Sequence, residues 1–310
     1  MPDPAITFTR VGRRFGDIEA VRDLDLEIAI GSVTVLLGPN GAGKTTTVRL
    51  TTGALQADDG RIQVLGMDPR VDGTAIRRVS GVVPPKAAFY DRLTGMENLR
   101  FAADMWELGA SAPIAEAAER FGISQALDQN VGGYSTGMRT RLALARAILH
   151  DPTVLLLDEP TAGLDPESAR AVLDLIRDMA GQGRTIVMCT HLLHEAEGIA
   201  DQVVLMNEGH AWVAGPPDHL AETYWSDTRV HFDAEDRSTL ASLADMEGVV
   251  AHTVNGHVTV ELDKLDRLPD IVAHLVEGGA RLTRVEPIQP TLEELYFEMQ
   301  RHRRQEVEQP

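Results

Sequence analysis

The sequence predicts an α/β chain in two parts, a parallel sheet with helical crossovers up to Pro217 and a smaller α+β unit after it. Three observations carry this expectation. The apolar runs Val33–Leu37, Thr153–Leu157 and Thr185–Cys189 are separated by stretches of helical period, the order that yields parallel strands joined by right-handed crossovers. Gly215-Pro216-Pro217 cannot continue a helix or an interior strand, so a boundary falls there. Beyond it the element order changes and acids outnumber bases roughly two to one.

In chain order, Ile6–Phe8 and Leu24–Ile28 alternate as strands do, and Gly31-Ser32 turns the chain into the buried strand Val33–Leu37. Thr45–Leu55 then places its apolar positions on one helical face. From about Thr94 to Leu127 the pattern is helical, clearest over Asn98–Leu108 and Ile114–Phe121 and broken by Gly109 and Pro113. A helix over Met138–Leu149, the strand Thr153–Leu157, the helix Glu167–Gly181 and the strand Thr185–Cys189 complete the first part. In the second part Thr228–Phe232 reads as a strand and Arg237–Met246 as a helix. Val249–Val254 and His257–Leu262 read as a hairpin turning at Asn255-Gly256. Leu265–Val276 reads as a helix and Leu282–Val285 as a strand, giving the β-α-β-β-α-β order of a ferredoxin-like unit, closed by a helix over Leu292–His302.

The bulk composition narrows the function classes. With 310 residues the chain is long enough for two domains with cores of their own. It has no apolar run near the roughly 20 residues of a membrane helix, so any membrane work needs a spanning partner. MPDPAITFTR lacks the basic and apolar segments of a leader, and the expected location is the cytoplasm. The single cysteine, Cys189, lies in an apolar strand and suits a reducing compartment as a small buried side chain. A net charge of −18 argues against a broad nucleic-acid-binding face, and no nucleic-acid partner is expected.

Two motifs carry chemistry. Gly38–Thr45 reads GPNGAGKT between a strand and a helix. Gly41 and Gly43 let successive backbone N–H groups turn inward around phosphate oxygens, with Pro39, Asn40, Ala42 and Thr46 completing the loop, and the helix start adds positive charge. Lys44 is placed to reach the β- and γ-phosphates of ATP and Thr45 to ligate Mg²⁺. In VLLLDEP, Val154–Pro160, four apolar residues carry the strand through the sheet, and Asp158 and Glu159 emerge at its carboxyl end. Asp158 is placed to hold Mg²⁺ and Glu159 to orient or deprotonate the attacking water.

Together these motifs resemble P-loop NTPases. YSTGMR at Tyr134–Arg139, followed by TRLALARAILHDP, resembles the signature loop and helix of ATP-binding cassette (ABC) ATPases. TAGLD at Thr161–Asp165 and Thr190-His191 follow in that family's order, and Phe15 matches its adenine-stacking aromatic. The wording GPNGAGKTTT and the tail PTLEELYFEM, Pro290–Met299, further resemble nucleotide-binding subunits of ABC-2-type exporters, including drug- and antibiotic-resistance pumps. The resemblance implies a RecA-like core with antiparallel β and helical subdomains, the latter at about 86–150, within an ATPase domain over 1–217. Residues 218–310 would then form a C-terminal dimerisation or regulatory domain. Two copies would close head to tail, with Ser135 and Gly137 contacting the γ-phosphate in trans; the N–H groups of Gly137 and Met138 open a helix and can face an anion. Asp165 would couple the two sites, and His191 would hold the γ-phosphate and the attacking water. A membrane-spanning permease would be the partner, which places the chain peripherally on the inner face of the membrane.

The sequence departs from this pattern twice. GVVPP at Gly81–Pro85 puts Pro85 where the family usually carries a glutamine that touches Mg²⁺ and the membrane partner. Either a neighbour such as Lys86 or a water replaces that contact, or Mg²⁺ sensing weakens; hydrolysis is expected to survive. Thr136 stands where glycine is commonest, with little loss expected. Phe89–Phe101 reads either as part of a docking groove or as core of the helical subdomain. HLLHE, His191–Glu195, is not a zinc-hydrolase pattern, and His194 and Glu195 read as helix residues. The competing functions are an importer ATPase, a soluble ABC ATPase acting on ribosomes or DNA, and a nucleotide switch that scarcely hydrolyses.

Overall fold

The computed structural model describes residues 4–225, 228–246, 249–254, 257–262, 264–288 and 290–308. It divides into two compact units, Met1–Pro217 and Asp218–Pro310. The chain opens with β1 (Ile6–Phe15) and β2 (Ile18–Ile28), an antiparallel hairpin. β3 (Val33–Leu37) leads through the glycine-rich loop into α1 (Lys44–Thr51), and β4 (Asp59–Val64) returns to pair with β1. α2 (Gly73–Arg78) and β5 (Ser80–Val83) follow, then the helical stretch α3 (Gly95–Met105), α4 (Ile114–Arg120) and α5 (Thr136–Ile148). β6 (Val154–Asp158), α6 (Pro166–Gly181), β7 (Thr185–Thr190), the single turn α7 (Leu193–Ala196), β8 (Gln202–Asn207) and β9 (His210–Gly215) close the first unit.

Two sheets result: β2-β1-β4, antiparallel, and a six-stranded sheet in the order β5-β6-β7-β3-β8-β9. In the larger sheet every pair is parallel except β8 with β9. β3, β6 and β7 are buried along their whole length, which is why they read as unbroken apolar runs. One core joins both sheets to α1: Ile6, Phe8, Leu24 and Ile28 from the antiparallel side, Val48 and Leu50 from α1, and Leu36, Leu156, Cys189 and Val204 from the parallel side. The phosphate loop therefore leaves a rigid central strand for a helix held on two faces.

The structure corrects several element boundaries. The first two strands run well beyond Ile6–Phe8 and Leu24–Ile28; their outer halves carry Arg13, Arg14, Glu19 and Arg22, and irregular register breaks the alternation there. β4, β8 and β9 escaped the pattern reading because Asp, Gly and Asn interrupt or bound them. α3 starts three residues before Asn98, at the capping box in which Thr94 accepts from the Glu97 N–H and Glu97 accepts from the Thr94 N–H. α1 stops at Thr51, where threonine hydroxyls bond back to carbonyls of the preceding turn.

The second unit carries α8 (Pro217–Tyr224), β10 (Arg229–Ala234), β11 (Val249–Val254), β12 (His257–Leu262), α9 (Leu268–Glu277), β13 (Leu282–Pro287) and α10 (Leu292–Glu308). Its antiparallel sheet has the order β11-β12-β10-β13, the spatial arrangement of a ferredoxin-like unit. Arg237–Asp245 is 3₁₀ rather than α-helical. β11 and β12 pair in register, while the turn residues Asn255 and Gly256 lie outside the described residues. Val230, Phe232, Leu240, Leu243, Val260 and Ile271 form a core separate from that of the first unit.

Candidate active site

The loop Gly38–Gly43 is fixed by close backbone approach. Gly43 has φ of 104°, and a Cβ there would lie 2.4 Å from the Ala20 carbonyl oxygen, so only glycine fits against β2. No side chain caps α1, which leaves the N–H groups of its first turn directed at the loop. Pro39, Asn40 and Gly41 are exposed, Ala42 is buried, and Thr45 and Thr46 are half-buried. Lys44, 6% exposed, donates from Nζ to the carbonyls of Gly38 (2.5 Å) and Pro39 (3.1 Å) and lies 3.7 Å from Glu159 Oε1.

The two acids at the end of β6 sit in different surroundings. Asp158 is buried, and its Oδ1 has no hydrogen-bond partner. Burial raises its carboxyl above the usual range, opposed by a hydrogen bond with Thr45 and the charge of Lys44. Glu159 takes a left-handed backbone, φ 53°, held by its N–H to the Cys189 carbonyl (2.9 Å). Its carboxylate oxygens lie 2.8 and 3.0 Å from His191 Nδ1. Lys44, Thr45, Asp158, Glu159 and His191 thus converge from β3–α1, β6 and β7. Cys189 is buried among them, and burial pushes its thiol well up, as an inert strand residue.

The remaining sequence-picked residues lie around this cluster without joining it. Phe15 is 44% exposed at the tip of β1, with the Arg13 guanidinium 4.8 Å from its ring centre. Ser135 caps α5, accepting from the Met138 N–H at 3.2 Å. That bond corrects the expectation that Met138 faces an anion, since its N–H is taken by Ser135. Asp165 caps α6, its oxygens accepting from the Ser168 N–H (2.9 Å) and hydroxyl (2.8 Å), and the N–H bond holds its carboxyl below the usual range. Among the described residues, no hydrogen bond joins Ser135 or Gly137 to the phosphate loop of the same chain.

Two cavities lie in the first unit, and the smaller borders the cluster through Glu159. One of about 270 Å³ is lined by Pro85, Lys86, Thr136, Arg139 and Glu159. The other, about 550 Å³, is lined by Phe89, Tyr90, Phe101, Trp106, Arg146 and His150. Tyr90 and Phe101 are more than 45% exposed and pack edge to face at 5.2 Å, so this stretch lines an open groove as well as part of the helical core. Loop 85–94 is positioned by Asn98, which accepts from the Tyr90 N–H and donates to its carbonyl.

The family profile described as ABC transporter matches residues 21–162. The daunorubicin resistance ATP-binding protein DrrA3 of Streptomyces coeruleorubidus is 36% identical over 96% of each chain. This chain belongs to the ABC transporter family. It is an ATP-binding ATPase of that family. The daunorubicin/doxorubicin resistance ATP-binding protein DrrA of Streptomyces peucetius is 36% identical, over 81% of this chain and 78% of the relative. A solved ATP-binding subunit of an ABC transporter superposes with a TM-score of 0.65 at 25% identity, over 71% of this ABC ATPase and 93% of that structure. A bacterial Atm1-family ABC exporter with ATP bound superposes with a TM-score of 0.63 at 28% identity, over 72% of this chain and 40% of that one. No described helix is long and apolar enough to cross a membrane.

Two features of the site escaped the sequence reading. The cavity shared by Lys86 and Glu159 depends on tertiary placement, which a sequence does not print. The buried side chain of Glu195 was read as an ordinary helix residue, since HLLHE gives no sign of the two threonine hydroxyls that meet it in the fold.

Proposed function

We propose that this ABC ATPase is the motor subunit of an exporter, driving efflux of drugs or antibiotics through a separate membrane-spanning permease. The observation that carries this is the likeness to the daunorubicin resistance protein over 96% of each chain, which takes in the second unit as well as the cassette. The protein then works on the inner face of the membrane, as a pair of copies. The 550 Å³ groove, with its exposed aromatics on loop 85–94, is the surface for the permease. Drug accumulation in cells that express a candidate membrane-spanning permease together with either the wild-type or the Glu159→Gln protein tests the reading. Equal accumulation with both would sink it.

In this reading Phe15 stacks on adenine with Arg13 behind its ring, and residues Gly38–Thr46 wrap the phosphates. Lys44 exchanges its two loop carbonyls for the β- and γ-phosphate oxygens. Mg²⁺ fits the site: Thr45 and Asp158 would hold it, since the Asp158 carboxyl meets the Thr45 hydroxyl while its buried Oδ1 has no hydrogen-bond partner, and the bound ion would supply neutralisation of phosphate charge. Glu159 accepts the proton of the attacking water, while His191 orients that carboxylate through Nδ1 and faces the γ-phosphate. Ser135 and Gly137 of one copy cap the nucleotide of the other, and Asp165 stands between the two sites.

Pro85 has no side-chain donor or acceptor, yet Lys86 is exposed on the cavity wall that Glu159 also lines. Its ammonium takes over contact with the bound nucleotide. Lys86→Ala should lower kcat roughly tenfold, equal to about 1.4 kcal/mol of transition-state stabilisation, in a steady-state ATPase assay. An unchanged kcat would assign the contact to water. A nucleotide switch that scarcely hydrolyses is the reading Pro85 favours, and no Glu159-dependent phosphate release at all would support it.

The domain limits we propose are 1–217 for the ATPase and 218–310 for a dimerisation or regulatory unit. Deleting residues after Pro217 should weaken self-association or alter turnover while leaving ATP affinity within about twofold, because the cassette has its own core. Analytical ultracentrifugation with nucleotide titration checks both, and lost ATP binding would count against the division.

A further inference from the structure

Glu195 is 1% exposed, a burial that an unpartnered carboxylate would not tolerate. Its carboxylate accepts at both oxygens. The Thr161 hydroxyl donates to Oε1, and the Thr190 hydroxyl donates to Oε2 at 2.6 Å. The Thr190 oxygen accepts in turn from the Leu192 N–H at 3.1 Å. Thr161 and Thr190 are themselves buried, 3% and 0% exposed. Thr161 stands two residues after Glu159, and Thr190 directly precedes His191.

We propose that Glu195 is a positioning residue for ATP hydrolysis: its carboxylate ties the segment behind Glu159 to the segment bearing His191 and keeps that pair in register. The inference rests on the reading of Glu159 and His191 as the hydrolytic pair. One backbone bond, from the Glu159 N–H to the Cys189 carbonyl, already links the two segments, and the side-chain bridge adds to it. Glu159 occupies a left-handed conformation that its residue type disfavours, and α7 is a four-residue turn, too short to persist by helical cooperativity. Removing the carboxylate would leave two buried hydroxyls without their acceptor and free both segments to shift. A displacement of about 1 Å at a reacting group is enough to cost on the order of 10²-fold in rate.

Glutamine can keep the bridge, because its amide oxygen accepts from Thr190 while its NH₂ donates to the Thr161 oxygen. With the full-length chain and MgATP, Glu195→Ala should lower kcat about 10- to 100-fold with KM for ATP within about twofold. Glu195→Gln should recover kcat to within about threefold of wild type. Thr161→Val, which removes one donor at nearly constant volume, should give an intermediate loss. The nitrogen-15 signals of the His191 imidazole, assigned by His191→Ala, supply a readout independent of turnover. They should show one hydrogen-bonded tautomer in wild type and Glu195→Gln, and move towards the exchanging average in Glu195→Ala. Wild-type kcat with unmoved His191 signals in Glu195→Ala would overturn the proposal. So would equal losses of kcat and ATP affinity in the alanine and glutamine variants together with lowered melting temperatures. If His191→Ala itself turns over at the wild-type rate, the reading of His191 falls, and the imidazole signals of Glu195→Ala still decide whether the bridge exists.

Discussion

Glu159→Gln should lower kcat by about 10²- to 10⁴-fold, the range that one positioned general base contributes, while ATP affinity stays close to wild type. The substitution keeps the shape of a side chain that is 14% exposed and packed between Lys44 and His191. It removes the acceptor for a proton of the attacking water without touching the loop that binds the phosphates. Single-turnover phosphate release, measured beside equilibrium binding of a fluorescent ATP analogue, separates the two effects. A variant that lost binding and turnover in parallel would place Glu159 in nucleotide binding and move the base elsewhere. The Lys44–Glu159 approach of 3.7 Å makes a second outcome visible. Neutralising the carboxylate relieves Lys44 of a competing partner, so ATP should bind slightly tighter.

Gly43→Ala should weaken ATP binding by two orders of magnitude or more, roughly 3 kcal/mol, and lower the melting temperature. A methyl group at this residue would lie 2.4 Å from the Ala20 carbonyl oxygen, on a backbone with φ of 104°. Backbone cannot move aside as a flexible side chain would. Either β2 shifts, opening the joint core, or the loop rotates and its N–H groups leave the phosphates. Gly41→Ala is the control: its φ is also positive, but nothing lies within 4 Å of the added carbon, so its loss should be smaller. Calorimetric titration of both variants distinguishes crowding from conformational strain. Equal losses would assign the whole effect to strain.

Much of the fold and part of the site were legible in the sequence, for identifiable reasons. β3, β6 and β7 were readable because burial on both faces leaves uninterrupted apolar runs. α6 was readable because Asp165 and Pro166 announce its start. The outer halves of β1 and β2 were hidden, since paired charges such as Arg14 with Glu19 stabilise an exposed ribbon without a hydrophobic period. Lys44, Asp158 and Glu159 were legible because each lies on a short motif. Convergence on His191, 32 residues along the chain from Glu159, required strand order, which β6 and β7 show only once folded as neighbours. The Glu195 bridge was invisible for the same reason: an acid in HLLHE looks like surface until two threonine hydroxyls are found on it.

Lys44 has a consequence for how nucleotide binds. Its ammonium is coordinated by the Gly38 and Pro39 carbonyls of its own loop. The loop is therefore templated from within: the carbonyls that shape it also hold the cation that a triphosphate would claim, so binding would exchange one set of oxygens for another around the buried ammonium. The same pair of oxygens that shapes the cradle thereby gives a buried cation a partner that does not depend on the phosphates.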